Sequence, residues 1–205
     1  MRKFRDPLLR VLEDVGLDAS ALVVARDIAR AARADRIGMY GWGYVDLCDA
    51  DGELRERSYF GNLITSIGDE YYARRGANVS PGNVPTGMRI GTGSTAVAKA
   101  GAGAAIVTYE SAKTGQKAFD GTYPQCAAIG SDIGWRITWK TTWQTTEGNL
   151  TNPVAEVVVT NENPLTDVAG SAANTISRAL VSPTVAKTSA DTLAVTWQHD
   201  FYDAP

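Results

Sequence analysis

Hydrophobic and polar residues alternate along the last third of the chain, with the period of two that is typical of strands with one buried face. The alternation is clearest at residues 135–143, where Arg136 and Lys140 share one face with threonines. Further alternating runs follow at residues 154–161 and 192–202. The residues that this pattern assigns to the core are Trp135, Ile137, Trp139, Trp143, Val157, Val159, Leu193, Val195 and Trp197.

Earlier runs extend the same interpretation. Residues 39–47 and 54–60 flank the turn sequence CDADG and predict a β-hairpin. Residues 62–75 carry apolar side chains three or four positions apart and predict a helix, in which Ser66 and Asp69 resemble a capping box. The remaining candidate strands are residues 88–90, 105–110, 117–120 and 174–181, of which the last also fits a helical turn.

Strands separated by turns at this spacing predict the fold class. We expect a mainly β domain over residues 37–205, built as an antiparallel β-sandwich of the jelly-roll type with one internal helix.

Residues 1–36 have a different pattern and predict an N-terminal arm of two short helices. Helices of this length are not stable alone in water, so we expect the arm to pack on the following domain or on another subunit. A row of three arginines fits an acidic partner, a nucleic-acid backbone or a solvated helix face, and neighbouring aspartates dilute its charge. The residues assigned to an assembly interface are Leu8, Leu12, Val24, Ile28, Arg26, Arg30 and Arg33.

Composition narrows the class of partner. The chain has 205 residues, 44% of them hydrophobic, and a formal net charge of −3, so nothing in the overall charge favours nucleic acid. No apolar run approaches the length of a membrane span, and the N-terminus lacks the features of a secretory signal. Cys48 and Cys126 are far apart and form no metal-binding or redox pair, which favours two separate buried thiols over a disulfide.

The residue types that carry chemistry are few and scattered. His199 is the only histidine and lies in an alternating strand, where packing is the simpler role. One histidine and two distant cysteines do not make a zinc site. Gly91 and Gly93 begin a glycine-rich loop that looks like a phosphate cradle but lacks the lysine of a P-loop. We therefore expect no catalytic residue, cofactor or metal, and predict a protein that is not an enzyme.

The tryptophan row at residues 135–143 has two interpretations. As an exposed platform it could stack sugars, which would make the chain a carbohydrate- or receptor-binding module with a host-surface glycan as its partner. As core it would fill the interior, and Ile137 in the same row favours that interpretation.

Three segments together resemble a group of virion proteins of tailed bacteriophages. Residues 44–54 (YVDLCDADGEL) followed by residues 60–65 (FGNLIT) are similar to the phage pattern of a hairpin leading to F-x-N-L-V-T. Residues 88–93 (MRIGTG) are similar to an x-I-G-T-G strand and loop. Residues 174–180 (NTISRAL) with residues 189–197 (SADTLAVTW) resemble the closing segment R-A-L…S-x-D-T-L-x-V-T-W.

The resemblance covers residues 39–201 and implies a structural role without catalytic residues. It favours a minor tail protein that assembles through repeated subunit contacts, with a decoration protein on the phage head as the alternative. The implied partners are other virion proteins and copies of the chain itself, with no membrane involved. The implied location is the virion, assembled in the host cytoplasm.

Overall fold

The computed structural model describes residues 39–80, 82–130 and 134–202. The arm predicted for residues 1–36, including all seven residues assigned to an assembly interface, lies outside the described residues. The strands are β1 Met39–Cys48, β2 Leu54–Ile64, β3 Gly87–Gly91, β4 Gln116–Ala118, β5 Gln125–Gly130, β6 Gly134–Trp143, β7 Val154–Thr160, β8 Thr175–Val185 and β9 Thr192–Tyr202. One α-helix, α1 at Ser66–Ala77, and two short 3₁₀ turns at Ala102–Ala104 and Ala172–Asn174 complete the described elements.

All nine strands belong to one antiparallel sheet, in the order β4-β3-β7-β8-β2-β1-β9-β6-β5. The sheet curls into a half-barrel, so the mainly β prediction is confirmed and the two-sheet sandwich is not. The curl brings the segment after β4 against β6, where the Asp120 amide donates to the Lys140 carbonyl at 2.8 Å. The Asp120 carboxylate accepts from the Thr142 amide at 3.0 Å.

The core lies on the inner face of this curled sheet. Alternation along β6 and β9 places tryptophans from both strands there, and β3, β7 and β8 add aliphatic side chains. Eight of the residues assigned to the core have this position, of which Ile137 is half-buried and the rest are buried: Ile137, Trp139, Trp143, Val157, Val159, Leu193, Val195 and Trp197.

The ninth assignment, Trp135, is wrong. Its side chain is 58% exposed, although it has the same strand parity as Trp139 and Trp143. Trp135 pairs with Ala128 of β5, the last strand of the sheet. Period two determines which face a residue occupies, but burial also needs something to cover that face.

The internal helix begins later than the sequence pattern predicts. Residues 62–64 continue β2 and pair with β8, and α1 begins at Ser66. Its N-cap is Thr65, whose hydroxyl accepts from the Gly68 amide at 3.0 Å, so the expected Ser66–Asp69 capping box is not the cap. The Thr65 amide donates to the Ile176 carbonyl of β8, and this tertiary contact fixes the end of the strand.

The other boundaries differ in smaller ways. The hairpin of β1 and β2 and the strands β3, β7 and β9 are confirmed, and β8 resolves the ambiguous residues 174–181 as a strand. Residues 105–110 form no strand, because the amides of Val107 and Thr108 donate to a side chain instead of a neighbouring strand. The alternation did not predict β5.

Candidate functional site

A buried ion pair joins β7 and β8 on the outer face of the sheet. Glu156 and Arg178 are fully buried, and an Arg178 terminal nitrogen donates to Glu156 Oε2 at 2.7 Å. The second terminal nitrogen of Arg178 donates to the carbonyls of Thr95 and Gly103, at 2.9 and 3.2 Å. Every part of this guanidinium therefore has an acceptor, as a charge buried away from water requires.

The same carboxylate organises the glycine-rich loop of residues 92–108. Glu156 Oε1 accepts from the amides of Gly93, Val107 and Thr108 at 3.0, 3.0 and 2.8 Å. A Cβ built on Gly93 would lie 2.4 Å from Glu156 Oε1, closer than any side chain tolerates. The loop does cradle an anion, but that anion is the protein's own carboxylate.

A second buried arginine holds the neighbouring loop. Arg89 of β3 donates from Nε to the Val168 carbonyl at 2.9 Å and from a terminal nitrogen to the Thr166 carbonyl at 3.1 Å. It also pairs with Glu162. Gly170 has φ of 73° and packs so closely that a Cβ there would lie 2.9 Å from the guanidinium. Arg89 thus performs for residues 162–170 the role that Arg178 performs for residues 92–108.

His199 lies at the centre of a buried network on the inner face. Its Nε2 is 3.0 Å from Trp197 Nε1 and 2.9 Å from Asn62 Nδ2, and its Nδ1 is 2.7 Å from the Tyr72 hydroxyl. The indole nitrogen can only donate, so Nε2 must be the acceptor and the ring proton of neutral histidine must be on Nδ1. Burial lowers the pKa of His199 to about 3, which keeps the ring neutral.

A glycine makes this network possible. Gly41 of β1 pairs with Asn62 on one side and with His199 on the other. A Cβ on Gly41 would lie 1.5 Å from Asn62 Oδ1, so only glycine lets the asparagine reach across β1 to the imidazole. The hydrogen-bond partners of His199 are thus a core indole, an amide and a phenol, and no carboxylate or serine is among them.

The tryptophans separate into buried and exposed members. Trp139, Trp143 and Trp197 are buried, and Trp42 is half-buried with the Arg136 guanidinium 5.3 Å above its ring. Trp135 alone is exposed, and β5 beside it is exposed along almost its whole length. The expected row of three tryptophans is therefore no continuous sugar platform.

Residues 39–80, 82–130 and 134–202 contain no group of three or more histidine, cysteine or acidic side chains placed to hold a metal ion. No helix within those ranges is long and apolar enough to span a membrane. Both cysteines are free thiols, as predicted, but Cys48 is half-buried and Cys126 is exposed, so the prediction that both are buried is wrong.

Sequence reasoning missed the residues with the densest contacts, Glu156, Arg178 and Arg89. The signal that could have found them is a charge inside an otherwise apolar strand, as in VAEVVVT of β7. Such a charge is rarely buried unless it is paired.

Comparison with protein-family models, curated proteins and solved structures finds no match for this chain.

Proposed function

We propose that this chain is a non-enzymatic structural component of a tailed-phage virion, most simply a minor tail protein that assembles through repeated subunit contacts. Its partners would be other virion proteins and further copies of the chain. The proposal rests on the sequence resemblance and on the use that the fold makes of the resembling residues.

The observation that carries the proposal is that the residues of the resembling segments make internal, architectural contacts. In FGNLIT, Asn62 bonds His199 and Thr65 caps α1. In MRIGTG, Arg89 holds residues 162–170 and Gly93 gives room to the Glu156 carboxylate. These are the roles expected of residues that specify a scaffold.

The closing segments follow the same rule. In NTISRAL, Arg178 pairs with Glu156. In SADTLAVTW, the Asp191 carboxylate accepts from the Thr188 amide and hydroxyl at 3.0 and 2.6 Å and pairs with Arg55 at 2.6 Å. Trp197 donates to His199. A catalytic motif would instead direct polar groups toward a shared open site.

A sugar- or receptor-binding module is the competing proposal of another class. Its platform would have to be built on Trp135 alone among the tryptophans of the row, since Trp139 and Trp143 are buried. One ring can stack one sugar, but a platform needs several side chains that converge. The arrangement therefore supports a structural role better than glycan binding.

The test is to locate the protein on particles of the phage that encodes it. Gold-labelled antibody raised against the purified chain should decorate the tail in negatively stained virions, and antibody pre-absorbed with the chain should not. Label on the head would replace the tail assignment with a decoration role. Purified virions that contain none of the chain by mass spectrometry would contradict the proposal.

A further inference from the structure

The strand β5 is an unprotected sheet edge. Its six residues, Gln125–Gly130, contain no charged side chain and no proline, and five of them are exposed. Among the described residues it pairs with β6 alone, so its other side presents backbone groups that no described strand meets. Edges of this kind are templates for pairing with another chain, and proteins usually block them with lysine, proline, very short strands or a covering segment.

The opposite edge of the sheet is blocked. β4 has only three residues and carries Lys117, and Asp120, two residues after its end, hydrogen-bonds to β6. Lys117 pairs with Glu147. The contrast shows that the fold protects one edge and leaves the other available.

The exposed face beside β5 is apolar. Cys126 and Ala128 pair with Ile137 and Trp135 of β6, so these four side chains share the inner face of the sheet. Trp135 is exposed and Ile137 is only half-buried, which leaves this part of the inner face uncovered. A partner that extended the sheet past β5 would also cover Trp135.

We propose that the occupant of this edge is a second copy of the chain, joined through antiparallel pairing of the two β5 strands. The inference rests on the proposed function, for which it supplies one subunit contact. An uncharged strand meets its own copy without like-charge repulsion. A two-fold axis perpendicular to the sheet makes the contact self-complementary and continues the antiparallel order of all nine strands.

The geometry limits how the two strands can meet. Directly opposed residues lie on the same face, so the axis must pass through a residue of β5 and not between two residues. The regular part of the strand ends at the bulge between Ala128 and Gly130, which leaves Cys126 or Ala127 as the axis. The two Cys126 side chains then lie directly opposite, at about 5 Å between Cβ atoms, or diagonally, at about 7–8 Å.

The experiment uses the full-length chain with Cys48→Ser, so that Cys126 is the only thiol. A short bismaleimide added over a range of protein concentrations should yield a covalent dimer, and native mass spectrometry should show the dimer before cross-linking. Ala127→Glu should abolish both signals, because it places two carboxylates together at the axis or one on each side of it. Within one subunit Ala127 pairs with Arg136, so the glutamate faces a cation there.

Two further variants keep the result interpretable. Val79→Lys changes an exposed apolar side chain away from β5 and should leave the cross-linking yield unchanged. Trp135→Ser should lower the yield while leaving β5 itself intact, and it replaces Ala127→Glu if that variant does not fold.

The competing occupant is the N-terminal segment of the same chain. Residues 1–38 enter the sheet at Met39, whose lateral neighbours in order are Phe201, Trp135 and Ala128. A monomer whose Cys126 resists N-ethylmaleimide would indicate this covering and overturn the inference. A monomer with reactive Cys126, or a cross-link insensitive to both Ala127→Glu and Trp135→Ser, would also overturn it.

Failure here and failure of the virion role give different results. If antibody labels the virions but no β5 cross-link forms, only the inference of β5 pairing is contradicted. A cross-linked dimer that is absent from virions removes only the virion role.

Discussion

The two ends of the sheet differ in how far their strands are buried. At one end, which we call the clamped end (β3, β7, β8 and residues 92–108), both faces are buried and a charged pair holds a loop over the outer face. At the other, the open end (β5 and residues 134–138), one strand has an exposed edge and the inner face is uncovered at Trp135. The difference separates a buried, internally paired part of the sheet from an exposed part, where we propose that a second subunit binds.

The charges in these regions have different consequences. Glu156 and Arg178 lose all contact with water, so their pairing is needed to compensate desolvation. Ion pairs at the surface, such as Arg74 with Glu70, contribute little because water screens them. The open end has no charge in β5, and its free groups are backbone amides and carbonyls.

The largest expected effect is at the clamped end. Arg178→Met should lower the free energy of unfolding by about 3–5 kcal/mol, because Glu156 would stay buried without its counter-ion. Urea denaturation monitored by circular dichroism measures the change. The matched control, Arg74→Met, removes an exposed ion pair and should cost less than about 1 kcal/mol. Equal losses for the two variants would contradict the importance of the buried Glu156–Arg178 pair.

Acid should lower the stability of the fold by protonating His199, which lies between the clamped end and the open end. Its pKa in the fold is about 3, below the ordinary value of about 6.5, so the unfolded chain binds the proton more readily. The stabilisation is complete above about pH 6.5 and decreases by about 1.4 kcal/mol per pH unit as the pH falls toward 3.

Urea titrations at pH 7, 6 and 5 test this prediction. His199→Gln should be less stable at pH 7, because it disrupts the bonds to Trp197 and Tyr72, but should lose the histidine-dependent slope between pH 6.5 and 5. A variant with the slope of the unmodified chain would show that His199 does not titrate as the fold requires.

A smaller effect is expected at the loop that Glu156 holds. Gly93→Ala should lower the free energy of unfolding by about 1–3 kcal/mol, because the new methyl group would overlap the carboxylate. Gly76→Ala is the control, since a Cβ there meets nothing within 4 Å and alanine favours a helix. Thermal denaturation of both variants should separate them. A Gly93→Ala protein as stable as the control would mean that the loop is not held tightly.

The sequence pattern predicted which face of the sheet each side chain occupies better than it predicted which side chains are buried. Alternation correctly placed Trp139, Trp143 and Trp197 on the inner face, because period two follows from strand geometry alone. It failed at Trp135, because coverage depends on which strand is last in the sheet. It also wrongly assigned the last residues of β2 to the helix, because Leu63 and Ile64 fit a helical period and a strand period equally well.

The buried polar clusters could be predicted only in part. A glutamate in VAEVVVT and an arginine in TISRALV interrupt apolar strands, which indicates that each needs a partner. That they are partners follows from the pairing of β7 with β8, and that pairing is set by tertiary structure. The glycine-rich loop binds the Glu156 carboxylate, and no local sequence motif indicates that contact.

The smallest effect is expected at the open end. Trp135→Ala should change the free energy of unfolding of the monomer by no more than about 0.5 kcal/mol, because the side chain is already exposed. Trp143→Ala, in the same strand and row, should cost about 3–5 kcal/mol. Urea denaturation at low protein concentration gives both values. A large loss at Trp135 would show that this residue belongs to the core of the subunit.

Hydrogen–deuterium exchange on the full-length chain, at a low and a high protein concentration, tests the contrast between the two ends most directly. The account predicts that the amides of Gly93, Val107 and Thr108 are slow at both concentrations, because Glu156 holds them within each subunit. It predicts that β5 exchanges quickly when dilute and slowly when concentrated. Fast exchange at those three amides, or a β5 strand with the same exchange at both concentrations, would contradict it.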